Sequence, residues 1–172
     1  MLMVKGEPIV PRLGTWIHTY YFDPPPKDFF IGHWLVNQFL DNVVVYDEEY
    51  YQVLTDDDMV EEGFYKKLDG LDSDILITSM HRSNKPSGTN SDCAYGSLIA
   101  APENVACGRM GYEQAVIKGK VLKLYRTTGE YHADGLLLEK LWAQRMESFR
   151  FVPDAYVKFN ALYPGYEGRW NR

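Results

Sequence analysis

The stretch Asp72–Cys93, DSDILITSMHRSNKPSGTNSDC, decides how this chain is read. Its apolar run Ile75-Leu76-Ile77 predicts a strand over 74–80, and at Ser79 the sequence turns into a polar loop carrying His81, Arg82, Lys85, Gly88 and Cys93. A rigid strand that feeds a hydrogen-bond-rich loop is a common way for a fold to present ligand-contacting groups. The region around 80–95 is therefore the first site to consider.

Working outward, the elements on either side predict an α+β domain. Upstream, NVVVY at 42–46 reads as a buried strand, and EYYQVL at 49–54 as a second strand or a turn. Thr55 with Asp58 three residues on resembles a capping box, acidic residues crowd the first turn, and Gly70 stands where a C-terminal cap belongs. A helix is expected over 56–68, with Met59, Phe64 and Leu68 as its inner stripe. Strand, helix, strand from Val43 to Ser79 suggests a parallel pair with a crossover. FFIGHWLVNQFL at 29–40 fits a buried helix turn and a buried strand almost equally, with a short helix favoured, and LGTWIHTYYF at 13–22 is read as a strand closed by Pro24-Pro25-Pro26.

Downstream, EQAVIKGKVLKLY at 113–125 alternates like a strand, with Gly119 marking a bend or a close approach. Beyond Asp134-Gly135, LLLEKLWAQRMESF has helical spacing in Leu137, Leu141 and Met146. A last short helix is expected after Pro153. The expectation is one domain spanning 1–172, with a mixed or antiparallel sheet and two to four helices packed on it.

Composition fits that expectation. At 172 residues, a single core buries roughly two thirds of the surface the unfolded chain exposes. Aromatic residues reach 15%, too many for a disordered chain. The formal charge of −6 leaves no basic footprint for nonspecific nucleic-acid binding. Cys93 and Cys107 form no Cys-x-x-Cys pair, MLMVKGEPIVPRLG does not read as a signal peptide, and no run is long enough for a membrane span. A protein of a reducing, cytoplasmic compartment is expected, with no membrane partner.

Three site readings arise from residue chemistry. Cys93 with His132 or His81, and Asp92 or Asp134 as orienter, are the available parts of a nucleophilic set, although a lone cysteine is equally at home as a small buried hydrophobe. Arg82, Lys85, Ser87, Gly88 and Thr89 combine charge, hydroxyls and backbone N–H groups suited to a small anion, without a Walker sequence. Tyr50 and Tyr51, beside Asp47-Glu48-Glu49, suit a protein contact face with a basic partner. The four histidines form no His-x-His or His-x-x-x-His pair, so neither metal nor cofactor is expected.

One partial resemblance covers Cys93 to Ala133. Cys93, Tyr95 and Gly96, then Ile117, Gly119 and Val121, then Gly129, Tyr131 and Ala133 make this segment similar to a short uncharacterised domain of bacterial and phage proteins. The resemblance implies a β-hairpin at 114–133 and a phage or bacterial origin, and it implies no activity. Ser-Asp-Cys-Ala-Tyr-Gly at 91–96 also resembles the Asp-Cys-Ser-Gly start of papain-like cell-wall peptidases, in which a histidine follows on a strand. The leading expectation is a small protein that acts by binding another protein; the alternative is a cysteine/histidine hydrolase or a phosphate-binding group-transfer enzyme.

Overall fold

Ile75, Leu76 and Ile77 are all buried, so the strand they form has both faces covered and occupies the middle of the sheet. The computed structural model describes residues 2–3, 19–20, 25–27, 29–55, 58–82, 96–124, 126–130 and 132–159. In chain order the elements are β1 (Leu2–Met3), β2 (Thr19–Tyr20), α1 (Ile31–Asn42), β3 (Tyr50–Gln52), β4 (Met59–Val60), α2 (Phe64–Leu68), β5 (Ile75–Arg82), β6 (Gly96–Leu98), β7 (Ala115–Lys118), α3 (Gly119–Leu122), α4 (Ala133–Arg145) and β8 (Phe149–Phe159). β1 and β2 form a two-residue parallel pair. The main sheet runs β3-β7-β5-β8-β4, with β6 also paired to β5.

β5 is parallel to β8 and antiparallel to β6 and β7, so the sheet is mixed and the chain is a single α+β domain. Side chains alternate across β5. Ile75 and Ile77 face a core with Val36 of α1 and Leu137, Leu138 and Leu141 of α4, while Leu76 faces a smaller core with Phe64 and Leu68 of α2. Fully burying a leucine such as Leu138 stabilises by roughly 2 kcal/mol, and a row of such residues fixes which helix covers which face.

Polar residues inside the sheet are paired. Thr78 Oγ1 donates to the Gln114 carbonyl at 3.0 Å, and Gln114 Nε2 donates to the Thr78 carbonyl at 3.1 Å. Ser79 Oγ donates to the Pro153 carbonyl at 2.8 Å and accepts the Ala100 N–H at 2.9 Å.

The helices at 31–42 and 133–145 and the strand at 75–82 match the sequence reading, and five other expectations are corrected. Of the helix expected over 56–68, residues 56 and 57 lie outside the described residues, and 58–68 hold β4 and then the five-residue α2. Thr55 Oγ1 donates to the Asp58 carboxylate at 2.6 Å instead of capping a helix, and Gly63 sits in the left-handed region at φ +75°, which interrupts any helix there. Gly70, also left-handed at φ +73°, does follow α2 as expected. Asn42 ends α1, residues 43–46 belong to no strand, and Val44 is 72% exposed. The parallel pair expected between a strand at 42–46 and the one at 74–80 is therefore replaced: β5 pairs parallel with β8 and antiparallel with β7.

The hairpin expected over 114–133 is instead the four-residue β7 followed by α3 and α4. Gly119 is the reason. A Cβ there would overlap the Tyr46 carbonyl oxygen, and its N–H donates to the Glu49 carbonyl at 2.9 Å, so the chain turns under the 45–49 segment instead of continuing as a strand. The last helix is replaced by β8, which passes through Pro153. Thr78 pairs with Val152 and Ser79 with Tyr156, so residues 153–155 bulge out of the ladder at the position where proline lacks the N–H to join it.

Candidate functional site

β3 stands at one edge of the sheet, and its three residues, Tyr50, Tyr51 and Gln52, pair only with β7 among the described residues. Gly119 N–H donates to Glu49 C=O, which makes that opposed pair a hydrogen-bonded one. The alternation of an antiparallel ladder then gives Tyr51 and Ile117 the next such pair. Tyr50 and Gln52 therefore turn their backbone N–H and C=O groups away from β7, to the outer side. Lys118 N–H, opposite Tyr50, agrees: it points to β5, donating to the Asp74 carbonyl at 2.8 Å.

Side chains of β3 line a cleft of about 550 Å³ that runs along this edge. Tyr50, Gln52, Tyr65 and Leu71 contribute on the α2 side, and Tyr51 and Phe39 on the α1 side. Both tyrosines of the pair are held in place. Tyr50 OH donates to the carbonyls of Leu71 at 3.0 Å and Ser73 at 2.7 Å. Tyr51 OH accepts the Tyr46 N–H at 2.9 Å and donates to the Glu49 carboxylate at 3.2 Å. Burial, followed by the Glu49 charge, pushes the Tyr51 hydroxyl above its ordinary pKa, against the opposing hydrogen bond from Tyr46. Gln52 Nε2 donates to the Glu113 carbonyl at 2.7 Å, and its Oε1 accepts from Tyr65 OH at 3.1 Å. Aromatic walls fixed this way present area at little entropic cost.

The charge around the cleft is organised by lysines. Lys118, only 6% exposed, donates to Asp72 at 2.6 Å and Glu48 at 3.1 Å and lies 5.6 Å over the Tyr50 ring. Its hydrogen bonds to Asp72 and Glu48 raise the ammonium pKa, and the same Lys118 contact holds the Asp72 carboxyl below its usual range. Lys120 pairs with Asp74 at 2.8 Å and Lys123 with Asp47 at 2.6 Å. Asp47, Glu48, Glu49, Asp72 and Asp74 thus face three lysines, and the border of the cleft keeps a negative excess.

Two of the other sequence candidates, His81 and Arg82, stand at the end of β5. His81 Nδ1 lies 2.8 Å from Ser97 Oγ, its directly opposed partner on β6, and the imidazole stacks on Tyr156 with centroids 4.2 Å apart. Arg82 ends β5 with its backbone opposite Gly96 and Phe159. Lys85, Ser87, Gly88, Thr89 and Cys93 lie outside the described residues. His132 precedes α4 and is exposed, and the Sγ of Cys107, the one cysteine among the described residues, lies 4.0 Å from the His132 carbonyl oxygen. Burial, then Glu139 and Asp134, push the Cys107 thiol up, which disfavours the nucleophilic thiolate at neutral pH. Asp134 spends its carboxylate on the Tyr112 N–H at 3.2 Å and the Gly135 N–H at 2.8 Å.

Lys118, Gln52, Tyr65 and Ser97 were not singled out from sequence. Lys118 carried one usable signal, a lysine within the alternating run at 113–125, and the others carried none. Among the described residues no group of histidines, cysteines and carboxylates is arranged to hold a metal ion, and no helix is long and apolar enough to cross a membrane. A scan against protein-family models, a search of curated proteins and a search of solved structures each found no match to this chain.

Proposed function

We propose that this chain works by binding another protein through the tyrosine-bearing, acid-bordered face of β3. The observation that carries the reading is the cleft of about 550 Å³ at a sheet edge, walled by tyrosines whose hydroxyls are already anchored. Apolar concave sites with a few fixed polar groups are the usual places for a ligand or an anchoring side chain. Aromatic anchors in such pockets dominate contact energetics. The excess of carboxylates around it favours a basic partner. A cytoplasmic accessory role in a phage or mobile element suits a small domain of this kind, as does the partial resemblance of 93–133.

A photo-crosslinking residue tests this directly. With p-benzoylphenylalanine in place of Tyr65, which lines the cleft and is exposed, the expected result in the host cell is a discrete protein adduct. The same residue in place of Leu136, exposed on α4, is expected to give none. No adduct at 65, or the same adduct at both positions, overturns the reading.

A second reading, an enzyme working at the β5 rim, draws on the 2.8 Å contact between His81 and Ser97. Its test is labelling by a fluorophosphonate at Ser97, or by iodoacetamide at Cys93 well below pH 8. Absence of both removes it.

A further inference from the structure

We infer that the partner segment binds as an extended strand added to the outer edge of β3, with apolar side chains entering the cleft and lysine or arginine beside them. The inference rests on the protein-binding reading above and adds the mode and the chemistry of the partner.

Backbone geometry supplies the first argument. The N–H and C=O groups of Tyr50 and Gln52 face away from β7, and among the described residues no strand pairs with them there. A sheet edge of this kind is a template for another chain, and main-chain hydrogen bonds supply the affinity in that mode. The second argument is the cleft, which flanks the same three residues on both faces of the sheet. A strand laid along β3 sends alternate side chains to opposite faces, so its residues meet Tyr50 and Gln52 on one side and Tyr51 on the other. Charge is the third. Asp47, Glu48, Glu49, Asp72 and Asp74 outnumber Lys118, Lys120 and Lys123, and Asp69 also lines the cleft. An incoming segment with basic residues is steered in, whereas an acidic one is repelled.

The test uses the full chain and a displayed library of random octapeptides. Enrichment of sequences alternating apolar residues with lysine or arginine is expected, and enrichment of acidic or helix-patterned peptides, or of none above an unrelated immobilised protein, overturns the proposal. The winning peptide is then titrated against Gln52→Ala and Gln52→Pro. Both variants lose the side-chain hydrogen bonds, and only proline also removes the outward N–H. The expected loss is within about threefold for alanine and at least about tenfold more for proline, the scale of one main-chain hydrogen bond.

A backbone N-methylated version of the peptide, blocked at alternate positions, makes the same comparison without altering the protein and is expected to lose binding on one methylation phase only. Slowed hydrogen exchange at Tyr50 and Gln52 is expected in the complex. Equal binding to the alanine and proline variants, with full binding of both methylated peptides, overturns strand addition. If Tyr50→Ala with Tyr51→Ala still abolishes that binding, the tyrosine-face reading stands; if it does not, both fall.

Discussion

The two edges of the main sheet are built differently. At the β4 edge the ladder is two residues long, and charged side chains seal the chain just beyond Val60. The Glu61 carboxylate accepts the Tyr156 N–H at 3.0 Å and pairs with Lys67, and Lys67 also donates to the Asp154 carbonyl in the bulge. At the β3 edge the outward backbone groups of Tyr50 and Gln52 have no such closure from a paired strand among the described residues, and an aromatic cleft runs beside them. Natural sheets blunt their edges against unwanted pairing with short strands, bulges and charges. The β4 edge has these devices close at hand, whereas the β3 edge has a cleft beside it. The contrast is the one that the proposed strand addition uses.

The largest effect is expected from breaking the support of the receiving edge. Gly119→Val drives a side chain into the Tyr46 carbonyl and Val45, and a loss of about 3 kcal/mol is expected in urea unfolding. Opening the protected edge comes next. Glu61→Ala leaves the Tyr156 N–H without its acceptor and Lys67 with the Asp154 carbonyl alone, and is expected to cost ~2 kcal/mol. This effect depends on pH in a defined direction. Burial works to raise the Glu61 carboxyl, yet Lys67 and the Tyr156 N–H outweigh it and the net shift is downward. A depressed carboxylate contributes fully above its ordinary value of 4.5 and loses that contribution as the pH falls below it. The stability gap between wild type and Glu61→Gln is therefore expected to be widest at neutral pH and to shrink below pH 4.5.

Two smaller changes sharpen the comparison on the β3 side. Gln52→Ala removes the bond to the Glu113 carbonyl and is expected to cost about 1 kcal/mol, measured in the same unfolding assay. Lys118→Met is expected to return the Asp72 carboxyl upward to its usual range, followed by side-chain carboxyl NMR through an acid titration. An unchanged Asp72 titration would show that Lys118 does not organise the charge at this border.

The central strand and the helix at 133–145 were legible because their signals are local and repeated: three consecutive β-branched or leucine residues at 75–77, and helical spacing in Leu137, Leu141 and Met146. At 29–40 the spacing fitted helix and strand almost equally, and the structure settles it as a helix at 31–42. The tyrosine pair at 50 and 51 was singled out from residue type alone, and the structure brings both into one cleft. What sequence missed was decided at a distance. Val43 to Tyr46 has the β propensity of a strand, but the approach of Gly119 uses that segment as a lid over α3. Thr55 and Asp58 have the spacing of a helix cap, and their side chains bond each other because β8 offers Met59 and Val60 a ladder. Gln52, Lys118 and Tyr65 belong to the cleft only through partners 13 to 61 positions away. No pattern within a window of a few residues encodes such pairs.

β8, the longest strand, has a bearing on biosynthesis. Ser79 and the Pro153 carbonyl it binds are 74 positions apart, and β8 is the strand that closes the side of β5 opposite β7. During translation the ILI segment of β5 emerges long before this neighbour exists. For that interval the nascent chain carries a hydrophobic strand with an unfilled flank, a state that favours chaperone capture and slow, late closure of the sheet.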